Sequence, residues 1–410
     1  MKIPNKSQIP NPKSQNKEDP PPRESDDSAH GPLIVVVAGE VSGDKHAAKL
    51  IAEIRKREPR AEICAAGGDA MENAGARLLY NLVDMAVLGS VEVLRNYGTL
   101  RRIFYSLLAF IEKRKPDAVV LVDYPGFNIR LAKKIKQRRL PVRVIYYISP
   151  QVWAWGTRRK KTIRRNVDRM IVILPFEKEF YADTELPVEF VGHPMLDDLK
   201  VETSREEFCR RTGVGPRARV VALLPGSRWN EVRRHLPVML AAAALMKRTM
   251  PELQFIMSEP PSAFRRFIEN AIARSAVHVG VIRESIYEVI HASDIVLVAS
   301  GTATLETACV LKPMVIMYKV AWPTYLLARL LVKLPYIGLV NVIAGRKIMP
   351  EFIQRDATPA RIAAAALDFL ADGAGYLAAV EALRAVRARV GEEGASARAA
   401  EAVLSALRTV

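Results

Sequence analysis

Leu33-Ile34-Val35-Val36-Val37-Ala38, followed at once by Gly39-Glu40-Val41-Ser42-Gly43-Asp44, decides the fold. An unbroken apolar run of this kind is a strand covered on both faces, because a half-exposed strand alternates polar and apolar residues. Runs of the same character recur at Ala118–Val122, Val142–Tyr147 and Met170–Leu174, and again at Val220–Leu224, Leu253–Met257, Ile295–Ala299 and Met314–Met317. Helical stretches lie between them, for example Ala47–Arg57 and Val91–Lys115. Strand and helix in alternation predict doubly wound parallel sheets.

The charged stretch Glu202–Arg219 separates the two series of strands. The expected organisation is therefore α/β, with a polar, disordered tail over 1–31 and one Rossmann-like half over 32–200. A second such half covers 201–375, and Ala-rich packing helices cover 376–410. The tail has no apolar core segment, so it does not read as a secretory signal. At 410 residues and 50% hydrophobic composition the chain is large enough for two packed cores and too apolar to be mostly disordered. Three scattered cysteines, Cys64, Cys209 and Cys309, exclude a disulfide framework and suit a reducing compartment. No uncharged apolar run is long enough to span a membrane.

The net charge of +17 is unevenly placed. The first 30 residues carry five Lys/Arg and five Asp/Glu, whereas residues 130–169 carry fourteen Lys/Arg against the single acid Asp168. Such a field attracts phosphate, on a lipid head group or a small substrate, or else it is only a solvated basic surface. A nucleic-acid partner would need a recognisable basic module, and none is present.

Ligands of open parallel sheets bind beyond the carboxyl ends of the strands, so five loops are candidates. Gly39–Asp44 has glycines for a tight turn and a following helix N-terminus. Ser42 or Asp44 there is either a helix cap or a substrate contact. The spacing is not that of a dinucleotide fingerprint, and Glu40 is an unhelpful neighbour for phosphate. Asp123-Tyr124-Pro125-Gly126-Phe127-Asn128 places a carboxylate at the end of a buried strand, where it caps the next helix or acts as a base; the base is the favoured reading. Ser149–Gly156 carries Trp153 and Trp155 beside Arg158-Arg159-Lys160-Lys161, a pattern for stacking, for an interface, or for packing alone. Pro225-Gly226-Ser227-Arg228 offers backbone donors and a guanidinium suited to phosphate, or is a turn with an exposed arginine.

Ser300-Gly301-Thr302-Ala303-Thr304-Leu305-Glu306 is the best nucleotide signal: small residues open a helix toward a diphosphate, and Glu306 sits one turn in, in place to accept from ribose hydroxyls. His193 reads more readily as a loop histidine with a structural hydrogen bond than as a cleft residue. No metal-ligand spacing, Asp-x-Asp pair or P-loop occurs, so neither a metal nor a cofactor is expected.

Taken together, these strings resemble the lipid-A-disaccharide synthases. They are AGEVSGD (38–44), GGDAMENAG (67–75), VLGSVEVL (87–94), DYPGFN (123–128), YYISPQVWAWG (146–156), VGHPMLD (191–197), LLPGSR (223–228), SGTATLE (300–306), PYIGLVNVIAG (335–345) and PEFIQ (350–354). Val41 and Val340 depart from the smaller residue and the proline expected there. The resemblance implies a GT-B fold, with two Rossmann-like domains facing across a cleft. It implies inverting transfer from UDP-2,3-diacylglucosamine to 2,3-diacylglucosamine 1-phosphate, giving the lipid A disaccharide 1-phosphate and UDP. Another UDP-sugar enzyme of the same fold, such as a UDP-sugar 2-epimerase, is the alternative; it would share SGTATLE-like features but not YYISPQVWAWG.

By motif match and strand-end position, Asp123 is expected to be the base and Arg228 to stabilise the leaving group. Ser42, Gly43, Asp44 and Asn128 are expected on the acceptor side. Gly226, Ser227, Gly301, Thr302, Thr304, Glu306 and Asn341 are expected about the donor. Acylated substrates imply a cytoplasmic enzyme held peripherally at the inner membrane, through residues 130–169 and the apolar, cation-punctuated stretch Val320–Val342. Nothing in the sequence sets an oligomeric state.

Overall fold

The computed structural model describes residues 31–83, 97–154, 156, 158–260, 262–332 and 334–408. The readings made above for residues 1–30, for VLGSVEVL and for Trp155 lie outside the described residues, as does the side chain of Arg158.

The first sheet contains β1 (Leu33–Ala38), β2 (Glu62–Gly67), β3 (Arg77–Asn81), β4 (Ala118–Val122), β5 (Arg143–Tyr147), β6 (Arg169–Val172) and β7 (Val188–Phe190). Its order is β3-β2-β1-β4-β5-β6-β7. The second contains β8 (Val220–Leu224), β9 (Gln254–Ser258), β10 (Val279–Ile282), β11 (Ile295–Ala299), β12 (Met314–Tyr318) and β13 (Glu351–Ile353), in the order β10-β9-β8-β11-β12-β13. Among the described residues all strand pairings are parallel; β1, for example, pairs Val36 with Ala65 on one side and with Val120 on the other. Every residue of β1, β4, β8 and β11 is buried, as strands covered by helices on both faces must be.

The strand order reverses between β1 and β4 in the first sheet and between β8 and β11 in the second. These are the two topological switch points, where helices leave on opposite faces and a crevice opens at the carboxyl ends. Four of the five candidate loops, those after β1, β4, β8 and β11, therefore flank the two crevices.

The C-terminal helices tie the halves together. Helix Pro359–Ala371 buries Ile362, Ala363, Ala366 and Leu370 against the second sheet. Helix Gly373–Val390 follows, and helix Ala395–Arg408 returns to pack on helix Val41–Arg57 of the first half. Asp197, in the connection between the sheets, accepts from the amides of Gly394, Ala395 and Ser396 at 2.7–3.2 Å and so caps that returning helix. One continuous apolar core consequently includes residues of both sheets, of the connection and of both last helices. All three cysteines are free and buried.

Candidate active site

The loop after β4 is built under strain. Asp123 and Tyr124 both take left-handed backbone conformations, with φ of 45° and 46°. Each such non-glycine residue costs roughly 1–2 kcal/mol, and persists only where its surroundings hold it. Here the restraints are explicit. The Asp123 amide donates to Tyr147 O at 3.2 Å, and the Asp123 carbonyl accepts from Tyr146 Oη at 2.6 Å and from Asn128 Nδ2 at 2.8 Å. The same Asn128 amide group reaches Val122 O (3.2 Å) and Val37 O (3.4 Å), spanning the ends of β4 and β1. A Cβ on Gly39 would sit 2.1 Å from the Tyr124 ring, so the glycine makes room for this turn.

Asp123 is half-buried at the crevice. Burial first, then the Glu40 carboxylate, pushes its carboxyl up to about 6; a backbone hydrogen bond at Tyr124 and the charge of Arg228 act in the opposite direction. A carboxylate ionised at pH 7 yet far more basic than a free aspartate is the poise a general base needs.

Arg228 ends the loop after β8 and belongs to the facing half. Its guanidinium is 75% exposed, 3.9 Å from Glu40 Oε2 across the cleft and 3.6 Å from Glu231 Oε1 on its own helix, Trp229–Thr249. Glu231 Oε2 also accepts from the amides of Ser227 and Arg228, at 3.2 and 3.3 Å. The Ser227 amide, expected to meet phosphate, thus already holds a carboxylate. Gly226, at φ 115°, is needed because a Cβ would meet the Glu231 side chain at 2.6 Å. Buried His235 links the same loop to the end of β12, with Nδ1 2.8 Å from Pro225 O and Nε2 accepting from Lys319 N at 3.0 Å.

In the loop after β11, Gly301 and Thr302 are exposed at the start of helix Thr302–Cys309, and Thr304 Oγ1 donates back to Gly301 O at 2.8 Å. Glu306 lies half-buried one turn in; burial and Asp198 push its carboxyl up to about 7. Ser300 Oγ donates to Ile337 O at 2.8 Å, anchoring this loop to 335–338.

Several expected contact residues have their side chains engaged inside the protein. Asp44 accepts from the amides of Gly68 (2.8 Å), Ala70 (3.1 Å) and Met71 (3.4 Å), capping helix Asp69–Asn73. Asn341 is fully buried: Oδ1 accepts from Ile348 N and Met349 N, and Nδ2 donates to Met349 O and Glu351 Oε1, all within 2.9 Å. Glu351 in turn holds the amides of Ile337 and Gly338. Asn128 is the strap already described. Ser42 is exposed beside buried Gly43 at the start of helix Val41–Arg57.

Trp153 packs edge-on against Phe176 and donates from Nε1 to Glu177 Oε1 at 3.0 Å, which is the packing reading of that loop. His193 is buried, its Nδ1 accepting from Met195 N at 3.2 Å. Sequence reasoning missed Glu231, His235, Tyr146 and Glu351. Only Glu231 had a signal: it is the third residue of a helix that opens after Gly-Ser-Arg, a position from which acids reach back to loop amides.

A family model described as lipid-A-disaccharide synthetase matches residues 34–404. The lipid-A-disaccharide synthase of Myxococcus xanthus is 40% identical over 376 residues, covering 92% of this chain and 98% of the relative. That of Geobacter sulfurreducens is 41% identical over 374 residues, covering 91% and 97%. Among solved structures, the UDP-GlcNAc 2-epimerase of Neisseria meningitidis bound to UDP-GlcNAc has a TM-score of 0.58 at 15% identity, covering 91% of this chain and 99% of its own. The S. aureus MnaA–UDP co-structure has a TM-score of 0.63 at 12% identity, covering 92% and 98%. CalG4, the calicheamicin glycosyltransferase, has 0.59 at 16%, covering 93% and 99%. Identities this low carry the two-domain GT-B fold and nothing finer.

Proposed function

This chain belongs to the lipid-A-disaccharide synthase family, glycosyltransferases of lipid A biosynthesis, and on that premise we propose how its cleft carries the hexosyl transfer. The donor is UDP-2,3-diacylglucosamine and the acceptor 2,3-diacylglucosamine 1-phosphate. Asp123 takes the proton of the acceptor hydroxyl as its oxygen bonds to the anomeric carbon. The bond from that carbon to the diphosphate oxygen breaks, UDP leaves with the electron pair, and the configuration inverts in one displacement through an oxocarbenium-like state. Arg228 and the helix opened at Gly301 and Thr302 meet the charge growing on UDP. Glu306 receives the ribose hydroxyls, with Thr304 beside it. Ser42 and Gly43 face the acceptor. Asp44, Asn128, Asn341 and the Gly226–Ser227 turn act as positioning groups, because their polar atoms or backbone are occupied in holding the loops.

The observation that carries this reading is the strained, braced turn that holds Asp123 at one switch point, with Arg228 of the other half meeting Glu40 of the first across the cleft. Incubating the protein with radiolabelled UDP-diacylglucosamine and the acylated sugar phosphate tests it. Labelled disaccharide 1-phosphate is the expected product; donor consumed by epimerisation without transfer would refute it.

Attachment to a membrane surface is part of the same proposal. Helix Trp322–Leu331 has no buried residue, and Leu326, Leu327, Leu330 and Leu331 are 57, 58, 81 and 52% exposed. An exposed apolar helix face suits the lipid interface. Arg355 lies over the Trp322 ring at 5.0 Å. No single described helix is long and apolar enough to cross a membrane. The basic segment contributes less than its count suggests, since Lys136, Arg138, Lys160 and Arg164 are paired with Asp168, Glu112, Asp183 and Glu185.

A further inference from the structure

Glu40 lies in the glycine-rich loop after β1, where an approaching phosphate would be repelled; the loop's other acid, Asp44, is occupied by the amides of Gly68, Ala70 and Met71. Its carboxylate, 42% exposed, faces the guanidinium of Arg228 from the opposite half. Both ion contacts of that guanidinium, 3.9 Å to Glu40 and 3.6 Å to Glu231, are beyond direct hydrogen-bond length, and it is largely exposed. Such pairs are weak and exchange readily for a better anion.

We propose that Glu40 and Arg228 form a donor-sensitive electrostatic latch across the cleft: the entering diphosphate takes the guanidinium, and the carboxylate left behind makes Asp123 a stronger base once donor is bound. The inference deepens the assignment of Asp123 as base and rests on it.

The groups around Asp123 support this. Tyr124 lies on its own loop, Tyr146 on β5 and Glu177 on helix Pro175–Tyr181. Burial pushes both phenols above the usual tyrosine range, so they are neutral at pH 7. It pushes Glu177 up to about 8, leaving that carboxyl mostly protonated there. Glu40 and Arg228 therefore remain as the charges acting on Asp123, with opposite signs. Moving Arg228 onto a phosphate removes the positive one and adds negative charge beside the carboxyl. Asp123 then holds a proton more tightly, and binding near pH 6 draws protons from solution.

Calorimetry of UDP binding to the full chain reads this without turnover. Titrations at pH 6.5 in buffers of different ionisation heat give the protons exchanged per UDP. The phosphate of UDP and Glu306 exchange protons in every variant, so the difference between wild type and Asp123→Asn isolates Asp123. A rise of one unit in its proton affinity corresponds to about half a proton per UDP at this pH. Without Glu40 the Asp123 carboxyl starts from a lower proton affinity, so at this pH that difference should be smaller between Glu40→Gln and Glu40→Gln/Asp123→Asn. Glu40→Gln should also bind UDP about 1.4- to fivefold more tightly, because Arg228 loses a competing anion.

Equal proton uptake by wild type and Asp123→Asn overturns the latch. So does a Glu40→Gln protein with unchanged uptake and affinity. If Asp123→Asn loses turnover while the proton difference is absent, the latch fails and the base assignment stands. If the proton difference is present and Asp123→Asn turns over normally, the base assignment fails, and the latch with it as a device for catalysis.

Discussion

Asp123→Asn separates the two consequences of a raised carboxyl, because it should impair turnover and strengthen the fold. Asparagine is the right replacement: it tolerates the left-handed backbone at φ 45° and keeps the shape of the side chain. A well-placed base contributes ~10²–10⁴-fold in rate, so kcat should fall by that factor. The stability change follows from linkage. The carboxyl rises from 3.8 to about 6 on folding, so the folded protein binds this proton more tightly than the unfolded chain. Below pH about 3 both states are protonated and the group is neutral toward stability. Between about 3 and 6 the unfolded chain ionises first and stability falls; above about 6 the full penalty is present. Two units correspond to about 3 kcal/mol, and partial exposure at the crevice reduces that to about 1–3 kcal/mol. Denaturant melts at pH 8 should therefore show Asp123→Asn more stable than wild type by this amount, with the gain much reduced at pH 4 and vanishing by about pH 3. In the wild type, kcat/KM should rise with pH through about 6 with unit slope and level off above it. A purified variant keeping more than about a tenth of wild-type kcat refutes the base. A variant no more stable at pH 8 than at pH 4 refutes the burial argument.

Two further tests address the donor and the membrane. Arg228→Ala and Glu306→Ala should each weaken UDP binding by calorimetry, each by about 1.5–3 kcal/mol for the loss of charged hydrogen-bond partners. EDTA should leave the rate unchanged; a strict Mg²⁺ requirement would overturn leaving-group stabilisation by Arg228 and the Gly301 helix alone. Co-sedimentation with anionic vesicles across a salt series should show binding that moderate salt weakens without abolishing. Serine at Leu326, Leu327, Leu330 and Leu331 should remove the salt-resistant part, and neutralising Arg158, Arg159, Lys160 and Lys161 most of the salt-sensitive part. Wild-type protein left in the supernatant at low salt refutes the attachment.

The central strands were legible because burial on both faces writes itself as an unbroken apolar run. The limits of β1, β4, β8 and β11 fall where those runs do. The strands that escaped notice are mostly at or near sheet edges and short. β3, β7, β10 and β13 are only partly buried and have three to five residues, so they lack the run that marks a covered strand. β2 is central but reads EICAAG, with an acid at one end and small residues at the other. In the site, strand ends located the loops, and the destinations of polar side chains could not be read. Asp44 caps amides 24 and more residues away, and Asn128 reaches a carbonyl 91 residues away. Those partners exist only once the sheet has brought distant segments together. The helix from Val41 began earlier than its apolar periodicity suggested, because Val41, Ser42 and Gly43 form its first turn at the crevice.

The two halves repeat one strand order and differ in charge at their switch points, and on the proposed reading that difference divides the chemistry. At the first switch point stand two carboxylates, Glu40 and Asp123, on a turn braced by Asn128, Tyr146 and Gly39. Negative charge and burial there favour holding a proton, which is what deprotonating an acceptor hydroxyl requires. At the second stand Arg228 and the open helix at Gly301, with Glu231 filling the loop amides. Positive charge and aligned dipoles there favour an oxyanion, which is what a departing diphosphate becomes. On the proposed assignment neither half holds both functions, so transfer needs the cleft assembled. The contacts that fix its geometry lie away from the reacting groups, in the Asp197 cap on helix Ala395–Arg408 and the shared core beneath it. Across the cleft itself, Glu40 and Arg228 touch only at 3.9 Å, an interaction weak enough for a substrate to displace. On the proposed reading, a tighter pair at that place would compete with the donor for the Arg228 guanidinium.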